Sequence, residues 1–384
     1  MQSIYLDHAA TTPVRPEVWR AMERFASECF GNPSGVHRLA EAARNALSEA
    51  RERIAERLGA STPSSILFTG GGTEADNLAV LGLARAGRGR HVIASAIEHH
   101  AVLEPCRSLQ REGFEVTLVG VDGHGRVSVA EVLEALRPDT VLVSLMLVNN
   151  EVGTVQPVRA LAAALRERGV LIHTDAVQAV GTLPVDVHEL GVDALSLSAH
   201  KFYGPKGVGA LYLRPGVDLQ PVLWGGGQER GLRSGTQNVA GAVGMASALE
   251  LAMEDRQERV DRLRFLSARL RDRLLEELPG AAATGHPEER HPGIVSLVFP
   301  GAEGESILML LDRAGVMAST GSACSTASLE PSHVLRAMGI PLRLAHGSLR
   351  LSLGRSTTVE QVDRAAGAVI QAVRRLQQMA PVDL

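Results

Sequence analysis

From residue 65 onward, short runs of aliphatic and β-branched residues alternate with amphipathic stretches, and this alternation limits the fold more than any other feature of the chain. The apolar runs cover 66–68, 91–94, 115–119, 141–148, 170–173, 194–197 and 209–213, with helical periodicity between them at 74–85, 129–136 and 158–168. Strands that are apolar along their whole length are buried on both faces, and an intervening helix returns the chain so that the next strand lies parallel. The expectation is a doubly wound α/β fold with a mostly parallel sheet. The glycine-rich run GPKGVGALYL, 204–213, is expected to be an antiparallel exception.

Two helices are expected ahead of the first strand. One covers 15–30, with Val18, Met22 and Phe25 on one face. The other covers 36–58 and stops at Gly59, a natural C-terminal cap. After residue 240 a single long helical pattern runs to 278, carried by Val260, Leu263, Leu266, Leu270 and Leu274, and a helix of that length is expected to bridge two domains. Strands at 294–299 and 348–353 and helices at 305–314 and 359–376 then form a smaller α+β unit.

Composition excludes several classes. With 39 basic and 43 acidic side chains among 384 residues, the net charge of −4 gives no reason to expect nucleic acid as a partner. The longest apolar run, 141–148, is far short of the roughly 20 residues that cross a bilayer. The start MQSIYLDHAATTP has neither the basic nor the apolar region of a signal peptide, so a cytoplasmic protein is expected. The three cysteines, Cys29, Cys106 and Cys324, form no CxxC pair and provide neither a disulfide scaffold nor a four-cysteine zinc site.

The residues suited to chemistry cluster just after the apolar runs, and ligands of open α/β sheets bind at the carboxyl ends of strands. In SLSAHKFYGPKG, 196–207, Lys201 is either a Schiff-base nucleophile or a solvated loop lysine. Asp175 in VLIHTDAVQ is either a partner for a protonated pyridine nitrogen or a helix cap, and Gln178 follows one turn later. ILFTGGGTEADN, 66–77, runs from strand through glycines to helix, which makes an anion site; it lacks the GK[ST] of a P-loop. His99 and His100 in IEHH are candidates for ring stacking or proton transfer. NNEVG, 149–153, offers amides, that of Asn150 among them, for a substrate carboxylate or a cofactor ring, or forms a turn. Arg350 is either a two-point carboxylate clamp or a salt-bridge arginine. Cys324 lies in STGSACSTASLEPSHVLRAMG, a small polar composition that suits an exposed, reactive thiol. Cys29 and Cys106 lie in helical patterns and read as small buried hydrophobes.

Taken together, SIYLDHAATTPV, FGNPSGVHR, FTGGGTEADNLA, IEHHAVLE, LVNNEVGTVQP, HTDAVQAVG, SLSAHKFYGPKGVGAL, GGGQERGLRSGTQN, GSACSTASLEPSHVL and RLSLGRSTT resemble the cysteine desulfurases of the class V aminotransferase group, across essentially the whole chain. The long GSACSTASLEPSHVL segment is similar to the long-loop branch. The resemblance implies a fold type I transferase of the aspartate aminotransferase-like kind, dependent on pyridoxal phosphate. It implies a large domain at 15–255 and a small domain made of 1–14 with 256–384. Lys201 would hold the cofactor, Asp175 its ring nitrogen and Gln178 its hydroxyl, with His99 stacked on the ring. Gly72, Thr73, Ser198 and His200 would bind the phosphate, with Thr236 reaching the phosphate of a second subunit in a homodimer. Asn150 and Arg350 would hold the carboxylate of L-cysteine, and Cys324 would take its sulfur as a persulfide, leaving L-alanine. The acceptor would be an iron–sulfur scaffold or a tRNA-thiolation carrier. Other readings are a selenocysteine lyase, another class V enzyme, or a sulfur-relay binding protein. The glycine motif departs slightly from relatives by reading GGGTEA, which keeps the backbone donors.

Overall fold

The computed structural model describes residues 3–321 and 331–379. Twelve strands are seen among them. After β1 (Ile4–Tyr5), seven strands make the large sheet: β2 (Ile66–Thr69), β3 (His91–Ser95), β4 (Glu115–Val119), β5 (Thr140–Ser144), β6 (Leu171–Asp175), β7 (Ala194–Ser198) and β8 (Gly209–Leu213). Their spatial order is β2-β8-β7-β6-β5-β3-β4. Strands β4, β3, β5, β6 and β7 are parallel, while β8 runs antiparallel to both β7 and β2. The expected antiparallel exception is therefore present, and β2 points the same way as β7. The carboxyl ends of β2, β3, β5, β6 and β7 all open on one edge.

Aliphatic side chains from both faces of this sheet enter separate cores, one under the helices Arg38–Arg57 and Val239–Glu254, the other under Gly72–Ala86 and His100–Arg111. The expected strand at 141–148 ends at Ser144. Residues 145–148 stay buried, and the N–H groups of Leu145 and Leu147 donate to β6 carbonyls without continuing the strand. The second expected helix starts at Arg38, because His37 caps it and Val36 lies fully exposed ahead of it.

Strands β9 (Ala282–Ala283), β10 (Ile294–Val298), β11 (Val316–Met317) and β12 (Ser348–Ser352) complete the set. The antiparallel order β9-β10-β12 forms a small sheet, and β1 pairs with β11. A third core lies beneath the small sheet, lined by Leu263, Leu266, Leu270 and Leu274 of the helix Arg256–Glu277 and by the helix Val359–Met379. The single helix expected between 240 and 278 is in fact two, Val239–Glu254 and Arg256–Glu277, which join different cores. At the break, Asp255 serves Arg15, Arg259 and Arg355, while buried Arg259 donates to the carbonyls of Gly181 and Ala252. The stray carbonyl at the end of the first helix is thereby satisfied, so a charge cluster turns the chain where periodicity alone would carry it on.

Cys106 is a buried thiol, as expected, and burial pushes its pKa up to about 12. Cys29 is only half-buried, just past the helix Pro16–Ser27, so it is not the core filler its helical pattern suggested.

Backbone packing fixes the glycine loop after β2. A Cβ added at Gly209 would meet the Gly71 carbonyl carbon at 2.6 Å, and one at Gly72 would meet Val177 at 2.8 Å. Gly209→Ala should force the loop away from β8 and lower stability by about 1–3 kcal/mol, the usual cost of overpacking. A urea unfolding midpoint equal to wild type would show that the contact is slack.

Candidate active site

A cavity of about 300 Å³ lies at the carboxyl edge of the large sheet, lined among others by Gly72, Thr73, His99, Asn150, Asp175, Gln178, Ser198, His200, Lys201, Gly321 and Arg350. Each residue arrives there because a strand ends. β2 delivers the glycine loop, β3 the turn to His99, β5 the turn to Asn150, β6 Asp175, and β7 the short 3-10 turn Ala199–Lys201. Arg350 comes from β12 of the small sheet, so the cavity lies between the two sheets.

The glycine loop leads into the helix Gly72–Ala86, whose N-terminus has no side-chain cap. Its first N–H groups and the helix dipole point at an anion-sized space beside Ser198 and His200. An adjoining open basin of about 860 Å³ shares Gly72, Thr73, Ser198 and His200 and carries Lys206 and Arg233 on its walls.

Lys201 is held by the N-terminal segment. Its Nζ donates to the carbonyls of Ala9 at 2.5 Å and Ala10 at 2.9 Å. Gln178 Nε2 donates to the same Ala9 carbonyl at 2.7 Å. Thr12 N–H donates to the His200 carbonyl, and Tyr203 N–H donates to the Thr12 hydroxyl, which binds this segment to the lysine turn. Tyr203 has φ +68°, a left-handed conformation that a non-glycine residue takes only when its surroundings enforce it.

Burial sets the charges. The Asp175 carboxyl is raised to about 6 by desolvation, opposed by the Val177 N–H at 2.8 Å and by the charge of Lys201. His99 is lowered to about 4 by burial and then by Lys201, and His200 to about 4 for the same reasons. Both imidazoles are therefore neutral at pH 7. Nδ1 of His99 accepts the Ala101 N–H at 3.0 Å, so the ring proton is on Nε2.

Arg350 is 3% exposed and donates to Asp7 at 2.8 Å and to the Asn150 carbonyl at 2.9 Å. Its Nε is buried without a partner. The two readings of this residue meet in one geometry: it is a salt-bridged arginine whose side chain also lines the cavity. In NNEVG the two asparagines divide the work. Asn149 is buried and forms the turn, accepting the N–H groups of Glu151 and Val152, while Asn150 lines the cavity.

Thr236 is exposed and does not line the cavity of its own chain. Cys324 lies outside the described residues, though Gly321, three positions before it, reaches the cavity. Sequence reading passed over Asp7, Ala9, Ala10 and Asp76. The string DHAATTP was noticed but given no chemistry, because Ala9 and Ala10 act through backbone carbonyls that leave no trace in residue type.

Comparison with known proteins follows the same lines. The aminotransferase class-V family matches residues 4–365. A cysteine desulfurase IscS of Methanosarcina thermophila is 49% identical over 99% of this chain and 94% of its own, and one of Dictyoglomus turgidum is 48% identical over 99% and 97%. A solved NifS-like protein superposes with a TM-score of 0.91 at 39% identity, covering 97% of this chain and all of the other. A structure described as SspA in complex with cysteine matches with a TM-score of 0.81 at 38% identity over 91% and 99%. The chain belongs to the class V aminotransferase family and, within it, to the cysteine desulfurases.

Proposed function

We propose that this protein uses pyridoxal 5′-phosphate to remove the sulfur of L-cysteine, giving L-alanine and a persulfide on Cys324 that is passed to an acceptor protein. The observation that carries the reading is the meeting of Lys201, Asp175, neutral His99 and an uncapped helix N-terminus in one cavity of about 300 Å³. That donor set suits a flat ring with a phosphate at one end and a basic nitrogen at the other. When bound, the cofactor supplies an electron sink that lets the substrate lose its α-proton.

The chain's own residues do the rest. Lys201 would hold the cofactor covalently and, once displaced by substrate, move the proton from the substrate α-carbon. Asp175 would hold a proton on the ring nitrogen, whose positive charge returns the buried carboxyl to its ionised form. Gln178 would meet the ring hydroxyl and His99 the ring face, with its Nε2–H available as a donor. Gly72, Thr73, Ser198 and His200 would bind the phosphate, and Thr236 that of a second subunit in a homodimer. Asn150 and the guanidinium of Arg350, which line the cavity, would orient the substrate carboxylate. The Cys324 thiolate would attack the substrate sulfur, breaking its bond to carbon, and the carbon would keep the electron pair and take a proton.

The separate cores support a large domain at 15–255 and a small one built from 1–14 and 256–384. Among the described residues no helix is long and apolar enough to cross a membrane. A cytoplasmic setting, with an iron–sulfur scaffold or a tRNA-thiolation carrier as acceptor, completes the proposal.

Two experiments test it. Wild-type protein loaded with pyridoxal phosphate and incubated with L-cysteine should gain the mass of one sulfur atom as alanine forms, and Cys324→Ala should gain none. Alanine without a Cys324-dependent adduct would point to a lyase that releases sulfur directly. Arg350→Lys should raise KM for L-cysteine by about tenfold or more, since an ammonium lacks the planar fork that can meet Asp7 and a substrate carboxylate on different edges. An unchanged KM would remove Arg350 from substrate binding.

A further inference from the structure

Two carboxyl groups, Asp76 and Asp175, are buried on the wall of the cavity and a third, Glu98, is buried next to His99 in the chain; the proposed function uses only Asp175. Asp76, in the helix Gly72–Ala86, is 1% exposed and lines the same cavity as Asp175. Its Oδ1 is buried with no hydrogen-bond partner, 3.6 Å from Nε2 of His173. His173 precedes Asp175 by two residues on β6, so both project from the same face of the strand. The imidazole is wholly buried between the hydroxyls of Ser144 and Ser196, each at 2.9 Å. Burial drives its pKa down to about 3, so it gives Asp76 no counter-charge.

The third acid is Glu98. Its Oε1 accepts the Ser95 hydroxyl at 2.5 Å and the Met146 N–H at 2.9 Å, while Oε2 is buried without a partner. Burial raises its pKa to about 8, so it is mainly neutral at pH 7. Asp76 is raised too, by burial first and then by the charge of Asp175. Of the cationic groups around these acids, Lys201 acts on Asp175. His99 and His173 are neutral, and Ser196 is Asp76's hydrogen-bonding neighbour from β7. Lys201 acts on Asp175 and the cavity's other cation, Arg350, is paired with Asp7, so Asp76 and Asp175 cannot both ionise without a large desolvation cost.

We propose that Asp76 and Asp175 form a buried acid pair that keeps one proton, with Asp76 as the member that retains it. Asp76 is then a positioning residue. As the neutral acid it leaves Asp175 as the single carboxylate presented to a ring nitrogen, the arrangement by which paired acids divide their roles. This assignment rests on the pyridoxal phosphate reading for its purpose, but not for its existence.

The test measures thermal unfolding of the apoprotein from about pH 5 to about pH 8 for wild type and Asp76→Asn. A carboxyl whose folded-state pKa is raised binds its proton more tightly folded than unfolded. It therefore adds stability at low pH that is lost as pH rises toward the folded value. The amide has no proton to lose, so the midpoint of Asp76→Asn minus that of wild type should rise steadily with pH. A difference that is flat, or that falls with pH, would mean an ordinary or salt-bridged carboxylate and overturn the pair. If Asp76→Asn does not fold, wild type labelled with ¹³C on its aspartate carboxyls reads the proton directly: one buried aspartate should still carry its proton at pH 7, and a spectrum with every aspartate ionised there would overturn the pair.

Titration with pyridoxal phosphate then separates the roles. Asp76→Asn should bind within about threefold of wild type, since an amide replaces a neutral acid of the same shape, whereas Asp175→Asn should lose about tenfold or more. A comparable loss in Asp76→Asn would show that Asp76 is ionised in the complex and overturn the assignment. Wild type that bound no pyridoxal phosphate would sink the cofactor reading alone, because the pH test of the apoprotein stands without it.

Discussion

The short backbone segment 7–12 is the tie on which the site depends. On one side it meets β12: His8 N–H donates to the Ser352 carbonyl, Ala9 N–H to the Ser352 hydroxyl, and Asp7 takes Arg350. On the other it meets the turn after β7, where its carbonyls accept Lys201 and Gln178 and Thr12 binds His200 and Tyr203. A stretch of chain with almost no regular structure thus joins the small sheet to the large one at the point where the lysine emerges. Its polar backbone is satisfied by the residues that would act on a ligand, so the local fold and the site are set by the same hydrogen bonds.

Desolvation is the second constraint. The strand ends bring acids and imidazoles into a space that water barely reaches, and these acids and imidazoles move toward their neutral forms. His99, His173 and His200 lose their affinity for protons, while Asp175 and Glu98 hold theirs more tightly. Lys201 and Arg350 are held by backbone carbonyls and by Asp7, and the helix Gly72–Ala86 begins at the cavity with no side-chain cap. Such a site is poor in mobile charge and rich in fixed dipoles, which favours a ligand that brings its own anion and its own protonated nitrogen.

Much of this was legible in the chain. The apolar runs gave the strand order of events and the antiparallel exception at 204–213, because burial on both faces demands aliphatic residues throughout. The polar motifs after those runs placed Lys201, Asp175, His99 and the glycine loop together, because parallel strands put all their carboxyl ends on one edge. What periodicity hid was the break at Asp255. Helix-forming residues run on either side of it without a glycine or proline to mark a stop, and the gathering of Arg15, Arg259 and Arg355 on one carboxylate turns the chain.

The sequence by itself determined the fold class, the family and the side chains that carry chemistry, since these follow from apolar pattern and from motifs whose residue types have few substitutes. Tertiary structure decided how those side chains are partnered and charged. That Arg350 donates to Asp7 and Asn150, that the Ala9 carbonyl holds Lys201, and that Asp76 shares a cavity with Asp175 beside a neutral His173 are relations between residues far apart in the chain. Residue type states what a group can donate, accept or titrate. Only its distance to others and its removal from water settle which of these it does.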